Sequence, residues 1–181
     1  MRIVLMGHSS HVDGDNGTGN RGEGLGARRL TTELRRLGHE VVTVQGAGCD
    51  SCGLTSPPFV PQPAGGGDLV HCWGDEALPA AAVVALELGV PLVHSAFGGP
   101  SRAGLTVGWG RMLYQTLPVS LHLAHDAGAR DAARAFGVLP ERIRQVPPPS
   151  RAGVGEAVAA AYAEARTLHL RGRAGAAAQR S

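Results

Sequence analysis

Short apolar β-type runs alternate with helical patterns from one end of this chain to the other, and that alternation is the signature of a parallel sheet wrapped by helices. "RIVLMG" (2–7) reads as a first buried strand, and "LGARRLTTELRRLG" (25–38) as a helix with Leu30, Leu34 and Leu37 on one face and Gly38 as its stop. "HEVVTVQ" (39–45) is a second strand. Residues 46–67 carry Gly, Pro and Ser without periodicity and read as a long loop. "DLVHCW" (68–73) is the third strand and "EALPAAAVVALELG" (76–89) its helix, with Pro79 in the first turn, where a missing N–H is tolerated. "VPLVHSAF" (90–97), a helix over 103–116, "VSLHLAH" (119–125), an Asp-capped helix over 126–137 and a short sixth strand ending at "QVPPP" continue the alternation. "GVGEAVAAAYAEARTLHLRGR" (153–173) is a strong closing helix.

These elements define an α/β fold. It is a single Rossmann-like, doubly wound domain with a mostly parallel sheet of about six strands and a long C-terminal helix. We expect the domain over 1–150, the helix packing on it over 151–173, and a frayed tail over 174–181. The length of 181 residues suits one domain of ordinary size, and 43% hydrophobic residues suffice for a core. Ligands of such a sheet are expected at the carboxyl ends of its strands.

Charge and composition narrow the function. The formal charge is +2, and every basic residue is Arg, since the sequence contains no Lys. With 4% aromatic residues, neither a basic stripe nor a base-stacking platform is present, so no nucleic-acid partner is expected. No apolar run reaches the ~20 residues needed to cross a bilayer. The apolar run at the N-terminus is too short for a signal-peptide core, so the expected location is cytoplasmic. Three cysteines do not form a disulfide framework. Cys49 and Cys52 form C-x-x-C, and with Cys72 and His71 they could be drawn as a zinc set; a second C-x-x-C pair is absent, and reduced loop thiols are the better reading.

The stretch "DGDNGTGNRGEGLG" (13–26) contains G-x-G-x-x-G at Gly17, Gly19 and Gly22. In a dinucleotide fold the first glycine follows the strand almost at once, whereas residues 8–16 intervene here. The acid that would hold a ribose 2′-OH at the end of the second strand is replaced by Gln45. A nicotinamide-dependent oxidoreductase therefore fails both tests and stays a minor alternative. Gly22, Gly24 and Gly26 run into a helix, so bare backbone N–H groups face the upper cleft, a setting for a phosphate or for sugar hydroxyls; a mobile connector is the competing reading. "DGDNG" also has the outline of a calcium loop, without its Glu at the twelfth position. No nucleophile elbow is present and no catalytic residue can be assigned.

Four pieces taken in order resemble the N-terminal, acceptor-side domain of retaining glycosyltransferases of the B-type fold, the family-4-like group that includes sucrose and glycogen synthases. They are "LRRLGHEVVTV" (34–44), "DLVHCWG" (68–74), "GVPLVHSAF" (89–97) and "FGVLPERIRQVPPP" (136–149), similar to that family's "L..RGHEV", "D-V-V-H-x-H", "G-V-P-V-V-x-T-x-H" and "L-G-V-P-x-E-R-I-x-V-V-P-x-G". The resemblance spans about residues 1–149. It implies a sugar transferase half with a nucleotide-sugar as substrate, no cofactor, no metal, and a sugar or glycosyl acceptor. A donor-binding domain would then come from a separate protein, or the chain would pair as a homodimer. Candidate acceptor- or phosphate-binding residues are His8, Gly17, Gly19, Gly22, Gly24, His71, Ser95, Gly98 and Gly99. The family's second His is replaced by Trp73, its His after the fourth strand by Phe97, and its "P-x-G-V-D" linker by "PPPSRAG". Those departures keep open a non-catalytic module that binds a sugar or a partner.

Overall fold

The computed structural model describes residues 1–8, 21–46, 65–75, 77–96 and 107–178. Six strands form one parallel sheet: β1 (Arg2–His8), β2 (Glu40–Gly46), β3 (Leu69–Trp73), β4 (Leu92–Ala96), β5 (Val119–Ala124) and β6 (Ile143–Gln145). Their order across the sheet is β2-β1-β3-β4-β5-β6. The chain therefore steps outward from β1 to the edge strand β2, then returns past β1 and builds the other way. The reversal lies between β1 and β3, the place where sheets of this type open a crevice at their carboxyl ends.

Among the described residues five α-helices cover the two faces: α1 (Arg21–Arg36), α2 (Leu78–Leu88), α3 (Val107–Thr116), α4 (Ala127–Ala135) and α5 (Val154–Ala178). Because side chains alternate along a strand, odd and even positions feed two separate cores. Ile3, Leu5, Leu69, Trp73, Val93, Leu121 and Leu123 pack beneath α1 and α5; Val4, Met6, Val70, Cys72, Leu92 and Ala124 pack beneath α2, α3 and α4. β3 and β4 are buried on both sides, and their apolar runs are interrupted only by His71, His94 and Ser95.

Local chemistry explains the ends. Asp126 sits in extended backbone, and its carboxylate accepts from the Ala129 N–H at 2.7 Å, capping α4. Gly89 closes α2 in the left-handed region at φ 65°, which an L side chain adopts only with strain. Two helices differ from the sequence expectation. α1 begins at Arg21, so Gly22 and Gly24 lie inside its first turns rather than ahead of it. Glycine is a poor helix former, but burial of Ala27, Leu30 and Leu34 further along carries the helix through it. α5 runs on to Ala178 instead of ending at 173, in keeping with the high helix propensity of its Ala-rich end. Among the described residues no helix is long and apolar enough to cross a membrane.

Candidate functional site

Four of the chain's eight histidines, His71, His94, His122 and His125, are buried near the carboxyl ends of β3, β4 and β5. The pleat sorts them between the two faces, where they build two unrelated polar systems.

On the face beneath α1 and α5, one hydrogen-bonded chain runs through the core. The Tyr162 hydroxyl of α5 lies 2.7 Å from His71 Nδ1; His71 Nε2 lies 2.8 Å from Ser95 Oγ; Ser95 Oγ lies 3.0 Å from His125 Nε2; His125 Nδ1 lies 2.9 Å from the carbonyl oxygen of Pro147. The end of the chain fixes every proton in it. A carbonyl only accepts, so His125 Nδ1 carries hydrogen and its Nε2 accepts from the Ser95 hydroxyl. Ser95 Oγ then accepts from His71 Nε2–H, and His71 Nδ1 accepts from Tyr162. Each neutral group is satisfied once, in one direction. Burial, reinforced by the neighbouring histidines, pushes His71 well below the usual imidazole range. Burial also lowers His125, to about 4, against the opposing pull of the Pro147 carbonyl and Asp126. The buried Tyr162 hydroxyl is raised and stays protonated.

Ser95 and His125 thus stand as a hydroxyl and an oriented base, a pair the sequence did not disclose. The arrangement is not a nucleophile. Ser95 is 0% exposed, and its oxygen already accepts a hydrogen bond from His71. The relay ties together β3, β4, the turn after β5, α5 and the connector after β6.

The opposite face holds a charged system. Gly74 follows β3, and its φ of 91° turns the chain so that Asp75 comes back over the sheet. Its Oδ1 accepts from the Tyr114 hydroxyl at 2.6 Å and lies 3.1 Å from His94 Nε2. A register shift between β4 and β5 sets His94 opposite His122, with their Nδ1 atoms 3.1 Å apart. The Tyr114 ring stacks on His122 at 4.9 Å between centroids. Burial favours the protonated carboxyl of Asp75, but the contacts from His94 and Tyr114 outweigh it and hold the group below its ordinary range. His122 is held well below the usual imidazole range by burial first and by His94 second. The Asp75 carboxylate faces the His94 ring at Nε2, and the Nδ1 atoms of His94 and His122 share one hydrogen.

The sequence-derived candidates fall into three groups. His71 and Ser95 are brought together, as links of the buried relay. His8 ends β1, and Gly22 and Gly24 lie in the first turns of α1. Gly17, Gly19, Gly98 and Gly99 lie outside the described residues, as do Cys49, Cys52 and Phe97. The zinc set drawn from the sequence cannot close around one ion. His71 and Cys72 are adjacent on β3 and point to opposite faces, His71 toward Tyr162 and the Cys72 thiol toward the Gly74 carbonyl. Trp73, standing where the family pattern has its second His, is a core indole 1% exposed, packed against His71 and His125 with centroids 5.8 and 5.6 Å away. The sequence reading missed Asp75, Tyr114, His122, His125 and Tyr162. The available signal was the recurrence of His near the end of successive strands, which isolated motifs conceal.

No family model matches this sequence, and no curated protein matches it. Among solved structures the chain is similar to HepE of Anabaena in three complexes. The complex with UDP matches at a TM-score of 0.57 and 17% identity, that with UDP and glucose at 0.56 and 17%, and that with UDP-glucose at 0.56 and 16%. Each match covers 82% of this chain and 44% of the HepE chain, so the protein spans less than half the length of its structural neighbour. Identity this low establishes a shared fold.

Proposed function

We propose that the chain is the acceptor-side part of a sugar transferase that uses a nucleotide-sugar as donor. The observation that carries this reading is the fold shared with part of HepE, a protein crystallised with UDP, with UDP and glucose, and with UDP-glucose. The four family-like segments over residues 34–149 support it independently, because they occur in order on β2, β3, β4 and β6 and the elements beside them. In this reading the carboxyl edge of the sheet, where β1 ends at His8 and α1 turns its first N–H groups outward, forms one wall of the transfer cleft. A second domain, on this polypeptide or another, forms the opposite wall and grips the nucleotide. The buried relay and the Asp75 system hold that edge rigid, while the reacting groups come from the loops above it. Neither a metal nor a resident cofactor belongs to the reaction, and chelation leaves transfer unchanged.

The test is transfer from radiolabelled UDP-glucose to a panel of sugar acceptors, with this protein alone and mixed with donor-domain proteins encoded beside it. Transfer by the mixture, absent from either component, is the expected result. Failure with every such partner overturns the reading.

The Trp73 substitution favours a second reading, a non-catalytic module that binds a sugar or a parent transferase. An indole sealed into the core offers the cleft none of the hydrogen bonding that a histidine supplies there. Saturable binding of a sugar or a transferase, with no turnover in any mixture, would select this alternative.

A further inference from the structure

A helix laid on a sheet normally turns an apolar stripe toward it. α1 does so with Ala27, Leu30 and Leu34, but the adjoining stripe does not follow. Arg28, Thr31, Thr32 and Arg35 lie at i, i+3, i+4 and i+7 along the side that overhangs the edge strand β2. Opposite them Thr43 of β2 completes the wall, and Leu5 and Ala27 form the floor of a cavity of about 220 Å³. Leu5 and Thr43 are register partners, so the floor and the far wall belong to one pleat of the β1–β2 pair.

The chemistry of this lining is one-sided. Among the described residues it contains two guanidinium groups and three hydroxyls, and no carboxylate. Seven residues separate the two arginines, about 10 Å along the helix axis, so the groove has a cation toward each end and hydroxyls between. The Arg35 guanidinium is held at the rim by an Nη2 bond of 3.0 Å to the Val41 carbonyl, which positions its remaining N–H groups before any ligand arrives. Thr32 is likewise fixed, by its hydroxyl bond of 3.0 Å to the Arg28 carbonyl. The volume is below the roughly 300–1,000 Å³ typical of drug-sized ligands, and suits a single small one.

We propose that this groove between α1 and β2 binds a small phosphorylated sugar or polyol, the phosphate on an arginine and the hydroxyls on the threonines. Arg pairs with phosphate oxygens in a two-pronged geometry that an ammonium cannot reproduce; Thr31 and Thr43 can donate to or accept from a sugar hydroxyl, and Thr32, whose hydrogen is held by the Arg28 carbonyl, can accept from one. The site is separate from the carboxyl edge of the sheet, and the proposal stands whether or not the protein transfers sugar.

Titration calorimetry with glucose 6-phosphate, inorganic phosphate and glucose, paired with amide chemical shifts of Thr31 and Thr43, tests the proposal on the whole chain. Glucose 6-phosphate is expected to bind saturably and to shift both amides, inorganic phosphate to bind more weakly, and glucose not to bind measurably. Arg28→Gln and Arg35→Gln are each expected to weaken binding about tenfold, equivalent to about 1.4 kcal/mol, and Thr43→Val to weaken it severalfold. Arg28 and Thr43 are exposed, so those two variants keep the test valid if Arg35→Gln unfolds the protein. Three results would overturn the proposal: no saturable binding of either phosphate compound, binding indifferent to Arg28→Gln and Thr43→Val in folded protein, or glucose binding as tightly as its phosphate.

Discussion

The two faces of one sheet solve the problem of buried polar groups in opposite ways. Beneath α1 and α5, Tyr162, His71, Ser95, His125 and the Pro147 carbonyl form a neutral line in which each donor meets one acceptor. Beneath α2, α3 and α4, an ionised Asp75 gathers Tyr114 and His94, and His122 stands behind them. The neutral line has one proton arrangement, dictated by a backbone carbonyl. The charged system is anchored instead by a carboxylate, with the His94 and His122 rings behind it. The line is sealed, whereas the Asp75 side chain is 17% exposed and open to water. A low dielectric makes a fully satisfied network rigid and a broken one expensive, so the sealed face should be the more sensitive to single changes.

The largest loss is expected from His71→Ala. It opens a cavity and strands both the Tyr162 hydroxyl and Ser95, for a destabilisation of about 3–5 kcal/mol in urea unfolding. A loss below 1 kcal/mol would show that the relay is not formed. Acid comes next and separates the buried imidazoles of both faces from the Asp75 carboxylate by pH. His71, His122 and His125 are all lowered in the folded state, so unfolding takes up protons as soon as the pH falls below the ordinary imidazole range. Stability is therefore complete above about pH 6.5 and declines toward pH 4, by up to about 1.4 kcal/mol per pH unit for each histidine. Asp75 has the opposite origin and the same direction. Its folded pKa is depressed, so its contribution holds above the ordinary carboxylate range and disappears only as the pH falls through the lower folded value. Stability that stays flat from pH 7 to 5 would refute the neutral burial of these imidazoles.

Gly26→Ala probes the packing of the sealed face. An added Cβ would stand 2.8 Å from Pro149 Cβ and 3.2 Å from Trp73 Cζ2, and the overpacking should lower stability by about 1–3 kcal/mol. The two tyrosines give the finest comparison. Tyr162→Phe leaves His71 Nδ1 without its donor in a fully buried place, at about 1–2 kcal/mol, and nitrogen NMR should show His71 losing its single tautomer. Tyr114→Phe removes a donor that water can replace at the part-exposed carboxylate, and should lose about half as much or less. Equal losses at the two positions would erase the distinction between a sealed and an open face.

Much of the fold was legible because it depends on local signals. Apolar runs bounded by Gly, Pro or Asp located β1 to β5, Asp126 announced the start of α4, and the 3.6-residue spacing of Val154, Val158, Ala161, Tyr162 and Ala165 marked α5. The ends of α1 and α5 were misjudged because helix length near a terminus is decided by packing and by propensity summed over several turns, not by a single glycine. The site was legible only in part. His71 and Ser95 were among the candidate binding residues, and the structure bonds them to each other in the core. Their partners are 30 and 91 residues away in sequence, at separations where no spacing rule applies.

What the sequence determined by itself was a parallel α/β domain, since period-2 and period-3.6 apolar patterns record which side of each element is buried. The tertiary structure alone decided the strand order β2-β1-β3-β4-β5-β6 and, through it, which histidines meet. Alternation puts His71 and Ser95 on one face and His94 and His122 on the other, but only the pairing of β3 with β4 and β4 with β5, with its shifted register, brings ring nitrogens within bonding distance. That pairing is a long-range choice governed by the packing of whole helices on the sheet, and no stretch of a few residues contains it.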